Sequence, residues 1–377
     1  MIASKRIYGQ AALLTLAAAL FSTAAHAAVT LNCSPTTGPE RVSRPYSTTC
    51  TASGTPGPYV FFLSAGSFPG GISITGTTSS TVTIAGTPTA PGGAFDFTIE
   101  AFDVGAVDFG THEFIGTVWP QLARTYVAGW GSDSLGCDRN NPCKTFATAQ
   151  YSTLAGGEID VLASGDFGTL AITKALTIDG GNNVASIGAG PVCNGNTALC
   201  INVPGATVTI RNLSLTLNTS YGIAVGSAGY VRVEHVVMLP APGGSFAYGF
   251  FATAGMNSLD DVRVEGAVTY GVKISGASSK ATISNSTISH AGLSGLVSTL
   301  GAVIQADNCL INFNQLGIST SDGSGTAGTL RLSNNTITDN VTGLLVIGPG
   351  ASIVSFGNNR IFGNTTNGSA TLTTTQR

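Results

Sequence analysis

The sequence predicts an all-β protein, and three observations lead to this class. Only 9% of the 377 residues are charged, against about 25% in an average globular domain, so long helices rich in Glu, Lys and Arg are not expected. The 50 Gly and 15 Pro residues supply many turns. Short β-branched and apolar runs lie between those turns, and 43% hydrophobic content is enough to bury a core.

The charge balance argues against a nucleic-acid partner. The chain carries 16 Lys+Arg and 19 Asp+Glu, a net charge of −3. Proteins that bind nucleic acid concentrate positive charge on one surface, and no such excess exists here.

The N-terminus has the pattern of an export signal. Lys5 and Arg6 precede an apolar run over residues 11–21, and residues 25–27 form an Ala-His-Ala cleavage site. The run is too short to cross about 30 Å of hydrocarbon. We therefore predict a signal peptide over residues 1–27, a periplasmic, cell-surface or extracellular destination, and no transmembrane anchor in the mature chain.

The cysteines predict disulfides. Six of the seven fall into local couples, and Cys309 is left over as a buried thiol. The couples are Cys33 with Cys50, Cys137 with Cys143, and Cys193 with Cys200. Export permits disulfides. Zinc is the competing interpretation, but zinc sites use C-x2-4-C couples together with a second couple or histidines, so we expect no metal site.

The first part of the mature chain, residues 28–118, has the pattern of an immunoglobulin-like β-sandwich. Short strands separated by Gly/Pro turns are typical of that fold. Residues 119–124, which include Pro120, are predicted to be a linker. The expected strands are Tyr59–Leu63, Ile72–Thr75, Thr81–Ala85, Ala94–Phe102 and His112–Val118.

A repeat of 23–26 residues dominates the rest of the chain. Each repeat has an Asn-like position, an apolar or small residue two before it, another three after it, and then Gly with an apolar residue. The Asn-like positions are Asn212, His235, Asp261, Asn285, Asn308, Asn334 and Asn358. This pattern predicts a parallel β-helix over residues 125–370, with roughly nine or ten coils.

Stacked coils explain the Asn positions and the low charge. Equivalent residues of adjacent coils lie about 4.8 Å apart. Asn tolerates the left-handed conformation of a corner, and its amide can donate to one neighbour and accept from another, so we predict a structural Asn ladder. Stacked like charges repel. A leucine-rich repeat is the alternative, but its Leu pattern is missing.

The two ends of the solenoid are predicted separately. Residues 142–154 have the pattern of a short helix, which would cap the exposed first coil. Residues 371–377 are expected to be a polar tail.

Two segments resemble known families. Residues 68–103, with Pro69-Gly70-Gly71-Ile72 and an Ile84–Thr89 turn, resemble Ig-like domains of bacterial surface and secreted proteins, although Ala85 stands where Ser is usual. Those domains mostly serve as spacers or adhesion modules. A longer set of motifs resembles exported bacterial right-handed β-helix proteins with a pectin-lyase-like fold. These motifs are Tyr126–Asp133, Pro142–Phe146, Gly156–Leu162, Ile172–Lys174 and Leu176–Gly181. That resemblance implies right-handedness, but most such proteins have no established activity.

Catalytic motifs of the lyases and polygalacturonases with this fold are missing. There is no W-x-D-H, G-H-G or R-I-K text, and Asp260-Asp261 is the one D-D pair of that kind. Glu234, Asp260 and Arg263 are the weak candidates for acid/base chemistry, against a solvated ion-pair network. No cofactor is expected, and calcium is implied only under the lyase alternative.

A column of aromatic side chains is the candidate binding site. Tyr221, Tyr248 and Tyr270 each precede the repeat Gly and are predicted to stack over three coils. Arg232 is added as a polar contact. The alternative is an aromatic stack that covers the core at a corner. The predicted function is a non-enzymatic scaffold that binds polysaccharide or a cell-surface protein; a polysaccharide lyase or glycoside hydrolase acting on an acidic polysaccharide is the alternative.

Overall fold

A computed structural model describes residues 27–187, 191–192, 195–321, 323, 326 and 328–374. Residues 1–26 of the predicted signal peptide and Cys193 lie outside the described residues. The described chain is nearly all-β, with antiparallel sheets at the N-terminal end followed by a parallel solenoid, as predicted.

The N-terminal part forms two antiparallel sheets, consistent with an Ig-like sandwich. One has the order β1-β2-β5-β4 and the other β3-β6-β7. The disulfide between Cys33 and Cys50 joins two residues that face each other in the pairing of β1 with β2. Fully buried side chains such as Ile84, Phe97 and Ile99 fill the space between the sheets. The strands are β1 (Thr30–Ser34), β2 (Tyr46–Ser53), β3 (Tyr59–Gly66), β4 (Ile72–Thr77), β5 (Thr81–Gly86), β6 (Gly93–Asp103) and β7 (Asp108–Val118).

The solenoid contains one short helix, α1 (Phe146–Ser152), among its described residues, and that helix precedes most of the strands. The strands are β8 (Leu122–Ala128), β9 (Thr153–Ala163), β10 (Gly165–Asp166), β11 (Leu170–Ile172), β12 (Leu176–Ile187), β13 (Pro191–Val192), β14 (Gly195–Leu217), β15 (Thr219–Pro240), β16 (Phe246–Ala252), β17 (Met256–Glu265), β18 (Tyr270–Ser275), β19 (Lys280–Ser284), β20 (Thr287–Ser289), β21 (Ser294–Thr299), β22 (Val303–Asp307), β23 (Leu310–Asn312), β24 (Leu316–Ser319), β25 (Thr329–Ser333), β26 (Thr336–Thr338), β27 (Thr342–Leu345), β28 (Ser352–Ser355), β29 (Arg360–Phe362) and β30 (Leu372–Thr373).

Parallel pairing between coils gives the solenoid three faces. Face 1 contains β19, β22, β25 and β28; face 2 contains β20, β23, β26 and β29; face 3 contains β16, β18, β21, β24 and β27. The long strands β14 and β15 turn through corners and contribute to all three faces, and β17 contributes to faces 1 and 2. The solenoid has about eight turns, against the nine or ten predicted. Between Ala128 and Thr153 the chain forms a disulfide-bonded loop and α1 instead of a coil.

Apolar columns fill the interior as the repeat predicts. Val233, Leu259 and Ile283, each two positions before an Asn-like position, are buried and stack directly. The repeat glycines stack as well. A Cβ on Gly271 would lie 2.8 Å from the carbonyl oxygen of Gly295 on the next coil, so close approach of the coils requires glycine in this column.

The predicted Asn positions form corners, but their side chains do not form one continuous ladder. The left-handed conformation occurs from Asn212 (φ 54°) through Asn334 (φ 55°) at six of the seven positions. At the last coil it belongs to Gly357 instead of Asn358. Direct amide contacts join Asn308 to Asn285 (2.8 Å) and Asn358 to Asn334 (2.8 Å).

Carboxylates interrupt the outer ladder. The amides of Asn212, Asn285 and Asn334 donate to Asp179 (3.1 Å), Asp260 (2.7 Å) and Asp307 (2.9 Å), which stand one position before the corner on an earlier coil. His235 instead faces Asp261 at 3.7 Å. A charged acceptor makes a stronger hydrogen bond than a neutral amide, so the corner amides turn toward these aspartates.

Continuous Asn ladders lie inside the solenoid, at positions that the repeat analysis did not single out. Asn314, Asn340 and Asn364 recur at equivalent places, and the amide of Asn314 donates to Asn340 (3.0 Å), whose own amide donates to Asn364 (2.9 Å). Asn335 and Asn359 form a second interior pair at 3.0 Å. Buried amides must be satisfied, and stacking satisfies them.

Helix α1 packs against the first strands of the solenoid and is shorter than the predicted residues 142–154. Thr145 caps the helix by accepting from the backbone N–H of Thr148 (3.2 Å). Phe146 is fully buried against the solenoid core. The disulfide between Cys137 and Cys143 closes the preceding loop.

The segment assigned as a linker joins the two parts closely. Strand β8 already begins at Leu122, within residues 119–124, because it pairs in parallel with β9. Trp119 donates from its backbone N–H to the carbonyl of Glu40 (2.8 Å) and accepts from Val42 (3.1 Å). Between these residues, the Arg41 side chain is 1% exposed and enters the loop before α1.

Two residues of the predicted C-terminal tail extend the sheet. Leu372 and Thr373, within residues 371–377, pair with Val354 and Ser355 of β28. No helix in the described part of the chain has the length and hydropathy needed to cross a membrane.

Candidate functional site

The predicted tyrosine column exists on face 3. Tyr221, Tyr248 and Tyr270 occupy equivalent positions on successive coils. The rings of Tyr221 and Tyr248 stack with centroids 4.7 Å apart and an interplanar angle of 16°, and those of Tyr248 and Tyr270 are 5.4 Å apart. Tyr221 and Tyr248 are half-buried, whereas Tyr270 is 5% exposed, so two of the three rings present a surface.

Phe251 completes the exposed surface, although the spacing argument did not select it. Its ring lies 5.5 Å from that of Tyr221 and 5.6 Å from that of Tyr248. The two-residue alternation from Tyr248 is broken at Gly249, so Phe250 turns inward and Phe251 outward. We call Tyr221, Tyr248 and Phe251 the aromatic platform.

A cation lies beside the aromatic platform. The ammonium of Lys273 is 5.9 Å from the ring centre of Tyr248, 5.7 Å from that of Phe251 and 5.2 Å from that of Tyr270. Attraction between the cation and the ring faces holds these side chains in one arrangement.

A cleft of about 360 Å³ opens next to the platform. Tyr221 and Phe251 form its aromatic wall, and Thr197, Asn202 and Thr253 contribute polar side chains. Cys200 also lines the cleft and is disulfide-bonded. An aromatic wall combined with a few polar groups is the usual composition of a small-molecule site.

Arg232 does not join this site. It lies on face 1, where its Nε is 3.4 Å from Glu234 and its guanidinium is 5.7 Å from the ring of Tyr230. The register places one full corner of the coil between Arg232 and the tyrosine column.

Arg263 is separated from the other two weak catalytic candidates by a corner. Glu234 and Asp260 are neighbours on face 1, while Arg263 follows the corner and forms an ion pair with Glu265. Ser284 and Asn285 both donate to Asp260 at 2.7 Å. These hydrogen bonds hold the pKa of Asp260 below its ordinary value, which makes it a poor proton donor at neutral pH.

A denser charged cluster, which the sequence reasoning missed, lies further toward the N-terminus on face 1. The Arg124 guanidinium contacts Glu158 (3.1 Å) and Asp160 (3.2 Å). Arg211 contacts Glu158 (3.2 Å) and Asp179 (2.8 Å). The alternation of Glu158, Ile159 and Asp160 was the available signal, since it places both carboxylates on one face of a strand.

The carboxyls of this cluster differ in pKa. Burial, followed by a hydrogen bond with Glu158, raises the pKa of Asp160 to about 6. Burial also acts on Asp179, but hydrogen bonds from Gly181, Asn212 and Arg211 outweigh it and hold the pKa of Asp179 below its usual value. Within the described residues, no three His, Cys, Asp or Glu side chains are arranged to hold a metal ion.

Residues 248–376 match the family model described as "Right handed beta helix region". This match and the parallel coils agree on the architecture. The solenoid is a right-handed parallel β-helix. No curated protein and no solved structure shows significant similarity to the chain.

The β-helix determines how its surface residues can act. Side chains on one face are mounted on paired strands, so neighbouring groups keep a fixed spacing along the helix axis. The matched region includes Tyr248, Phe251 and Lys273 but not the charged cluster around Asp160.

Proposed function

We propose that the protein is an exported β-helix protein of the cell exterior or periplasm that binds a carbohydrate at the aromatic platform and has no catalytic role. The observation that carries the proposal is the half-buried ring cluster of Tyr221, Tyr248 and Phe251 beside a polar cleft. A protein partner at the same surface is the alternative ligand.

Sugar chemistry fits this surface. One side of a pyranose ring carries C–H groups that pack on an aromatic face, while its hydroxyls need hydrogen-bond partners. Tyr rings provide large apolar area and a polar tip, and the exposed side chains of Asn202 and Thr253 provide donors and acceptors around them. Because the rings are already stacked on paired strands, little side-chain entropy is lost on binding.

Export is supported by the sequence and by the disulfides. Residues 1–27 have a basic start, an apolar run and a small-residue cleavage site. Disulfides persist in oxidising compartments, and the described residues include Cys33–Cys50 and Cys137–Cys143. The sandwich then serves as a spacer that presents the β-helix.

A hydrolase acting on a polysaccharide is the second candidate function, and the charged cluster favours it. Two carboxyls with pKa values displaced in opposite directions, Asp160 upward and Asp179 downward, are the usual basis for separate acid and base roles. Under this candidate, Asp160 donates the proton.

The test is a pull-down with insoluble cellulose, xylan, chitin and calcium-crosslinked homogalacturonan, followed by analysis of the supernatant for reducing ends and unsaturated products. We expect retention on at least one polysaccharide, no released product, and at least tenfold weaker retention of Tyr248→Ala. Tyr230→Ala is the matched control, since Tyr230 is half-buried on face 1. Equal retention of both variants contradicts the platform. Product release that Asp160→Asn abolishes establishes the hydrolase instead.

A further inference from the structure

A second set of left-handed corners follows face 2, and one of them carries an exposed aromatic ring. His290, Phe313 and Asp339 have φ values of 56°, 55° and 56°. The coils on either side place Gly266 and Gly363 at the equivalent position. A bulky side chain is unusual in this backbone conformation, so the corner geometry does not call for Phe313.

Core packing does not require an aromatic side chain at Phe313 either. Phe313 is 52% exposed, and the His290 side chain is 54% exposed. The two rings stack with centroids 5.1 Å apart and an interplanar angle of 25°. A strained corner thus presents a stacked ring pair to solvent, an arrangement that suits a binding role better than a structural one.

The ring pair is mounted on a rigid base. Asn314, directly after Phe313, is 2% exposed. Its side-chain oxygen accepts from the backbone N–H of Ala291 (2.8 Å), and its amide donates to the carbonyl of Ile288 (3.2 Å). The same amide continues the interior ladder to Asn340 (3.0 Å). The positions of both rings are therefore fixed before any ligand arrives.

The rim of this corner defines the ligand chemistry. Gln315, Asp339 and Val341 surround an open cleft of about 450 Å³ that includes both rings. The amide of Gln315 and the carboxylate of Asp339 can form hydrogen bonds with hydroxyl groups of a ligand. Glu265 lies 3.9 Å from the His290 ring and is also paired with Arg263. The carboxylates at this corner disfavour a uronate or another anionic ligand.

We propose that the His290–Phe313 corner is a second saccharide-binding subsite and that it takes a neutral sugar stacked on Phe313. It shares no residue with the aromatic platform and faces a different side of the β-helix, so it goes beyond the function proposed above. Two sites on one rigid body would let the protein hold two chains, or two segments of one chain, with increased avidity.

The test uses Phe313→Gly, because glycine relieves the left-handed conformation and the variant is expected to fold at least as stably as the parent. Saturation-transfer difference NMR with cellohexaose, xylohexaose and hexagalacturonate is recorded on Tyr248→Ala, which lacks the first site, and on the double variant with Phe313→Gly. We expect Tyr248→Ala to bind a neutral hexasaccharide and to bind hexagalacturonate at least tenfold more weakly. The double variant should lose at least tenfold in affinity for the neutral probe.

Two results overturn the second site. One is failure of Tyr248→Ala to bind either neutral probe, and the other is unchanged binding by the double variant. The single variant Phe313→Gly separates the two proposals, because it retains the aromatic platform. If the single variant binds like the parent while the double variant binds nothing, both sites stand; if neither parent nor variants bind, both fall.

Val268→Gly, at another exposed apolar position, is the control for a general loss of surface hydrophobicity.

Discussion

Arg41 of the β-sandwich donates a hydrogen bond to the hydroxyl oxygen of Ser152, the last residue of α1 in the solenoid. The same guanidinium donates to the carbonyls of Asp133 (2.7 Å) and Leu135 and lies 3.6 Å from the sulfur of Cys143. Burial lowers the pKa of Arg41 to about 10. One buried side chain therefore ties the sandwich to the capping loop and the helix of the solenoid.

Replacing Arg41 with Met should destabilise the protein by about 2–3 kcal/mol, because buried carbonyls lose a charged donor. Chemical unfolding monitored by circular dichroism measures this change. Arg44→Met is the matched control: Arg44 pairs with Glu40 and its side chain is 43% exposed, so it should cost less than about 1 kcal/mol. Equal unfolding midpoints for the two variants would show that Arg41 does not hold the two parts together.

Asp160→Asn should stabilise the protein at pH 7 by about 1 kcal/mol. The pKa of Asp160 is raised from 3.8 to about 6 in the folded state, so the folded protein holds a proton that the unfolded chain releases between those values. The free energy of unfolding therefore falls as pH rises from about 4 to about 6. Solvent screening and the lost contact with Arg124 keep the gain below what the shift alone implies.

The measurement for Asp160 is urea unfolding of wild type and variant at several pH values from 4 to 7. The variant should flatten the fall in stability across that window. Asp96→Asn, at an exposed position in the sandwich, is the control and should leave the pH profile unchanged. If Asp160→Asn is less stable than wild type at pH 7, the prediction is wrong.

Asp260→Asn should cost about 1 kcal/mol at pH 7, because Ser284 and Asn285 both donate to this carboxylate and charged acceptors form the stronger bonds. The pKa of Asp260 is lowered, so its contribution is present above the ordinary value near 4 and is lost as pH falls below it. Thermal unfolding at pH 7 and pH 3 measures both effects. Asp261→Asn, whose native side chain is 63% exposed, should change stability little at either pH.

Cys309 should resist thiol reagents in the folded protein. It is 2% exposed, and burial raises the pKa of its thiol to about 11, so little thiolate forms at pH 8. Ellman's reagent should react slowly with native protein and rapidly in urea. Cys309→Val removes this reactivity if Cys309 is its source. Fast labelling of native wild type would contradict the burial.

The repeat made the solenoid predictable, but it did not show which Asn positions form the continuous ladders. Spacing alone identifies which residues stack, and Val233, Leu259 and Ile283 stack as expected. It does not tell an inward Asn from an outward one. Asn334 and Asn335 are adjacent in sequence, yet the first is an exposed corner and the second is fully buried. A change of direction at the left-handed corner decides between them.

The candidate site was predictable only in part, for a similar reason. The tyrosines share one register position, so their stacking followed from the spacing. Arg232 was added to them as a polar contact, but a corner of the coil places it on face 1. The contacts of Arg124 with Glu158 and Asp160 form where coils are irregular and separated by a loop and α1, so no repeat spacing pointed to them.

In-register pairing along all three faces also makes the length of the β-helix adjustable. Duplicating one coil of 23–26 residues within the regular region would add another layer of the same strands and corners, and the molecule would grow by about 4.8 Å. The hydrogen bonds of Arg41 to the capping loop and the C-terminal pairing of Leu372 would stay the same. Coils added after Tyr270 would therefore set the distance between the aromatic platform and the C-terminal end of the β-helix, while the distance from the platform to the sandwich would stay the same.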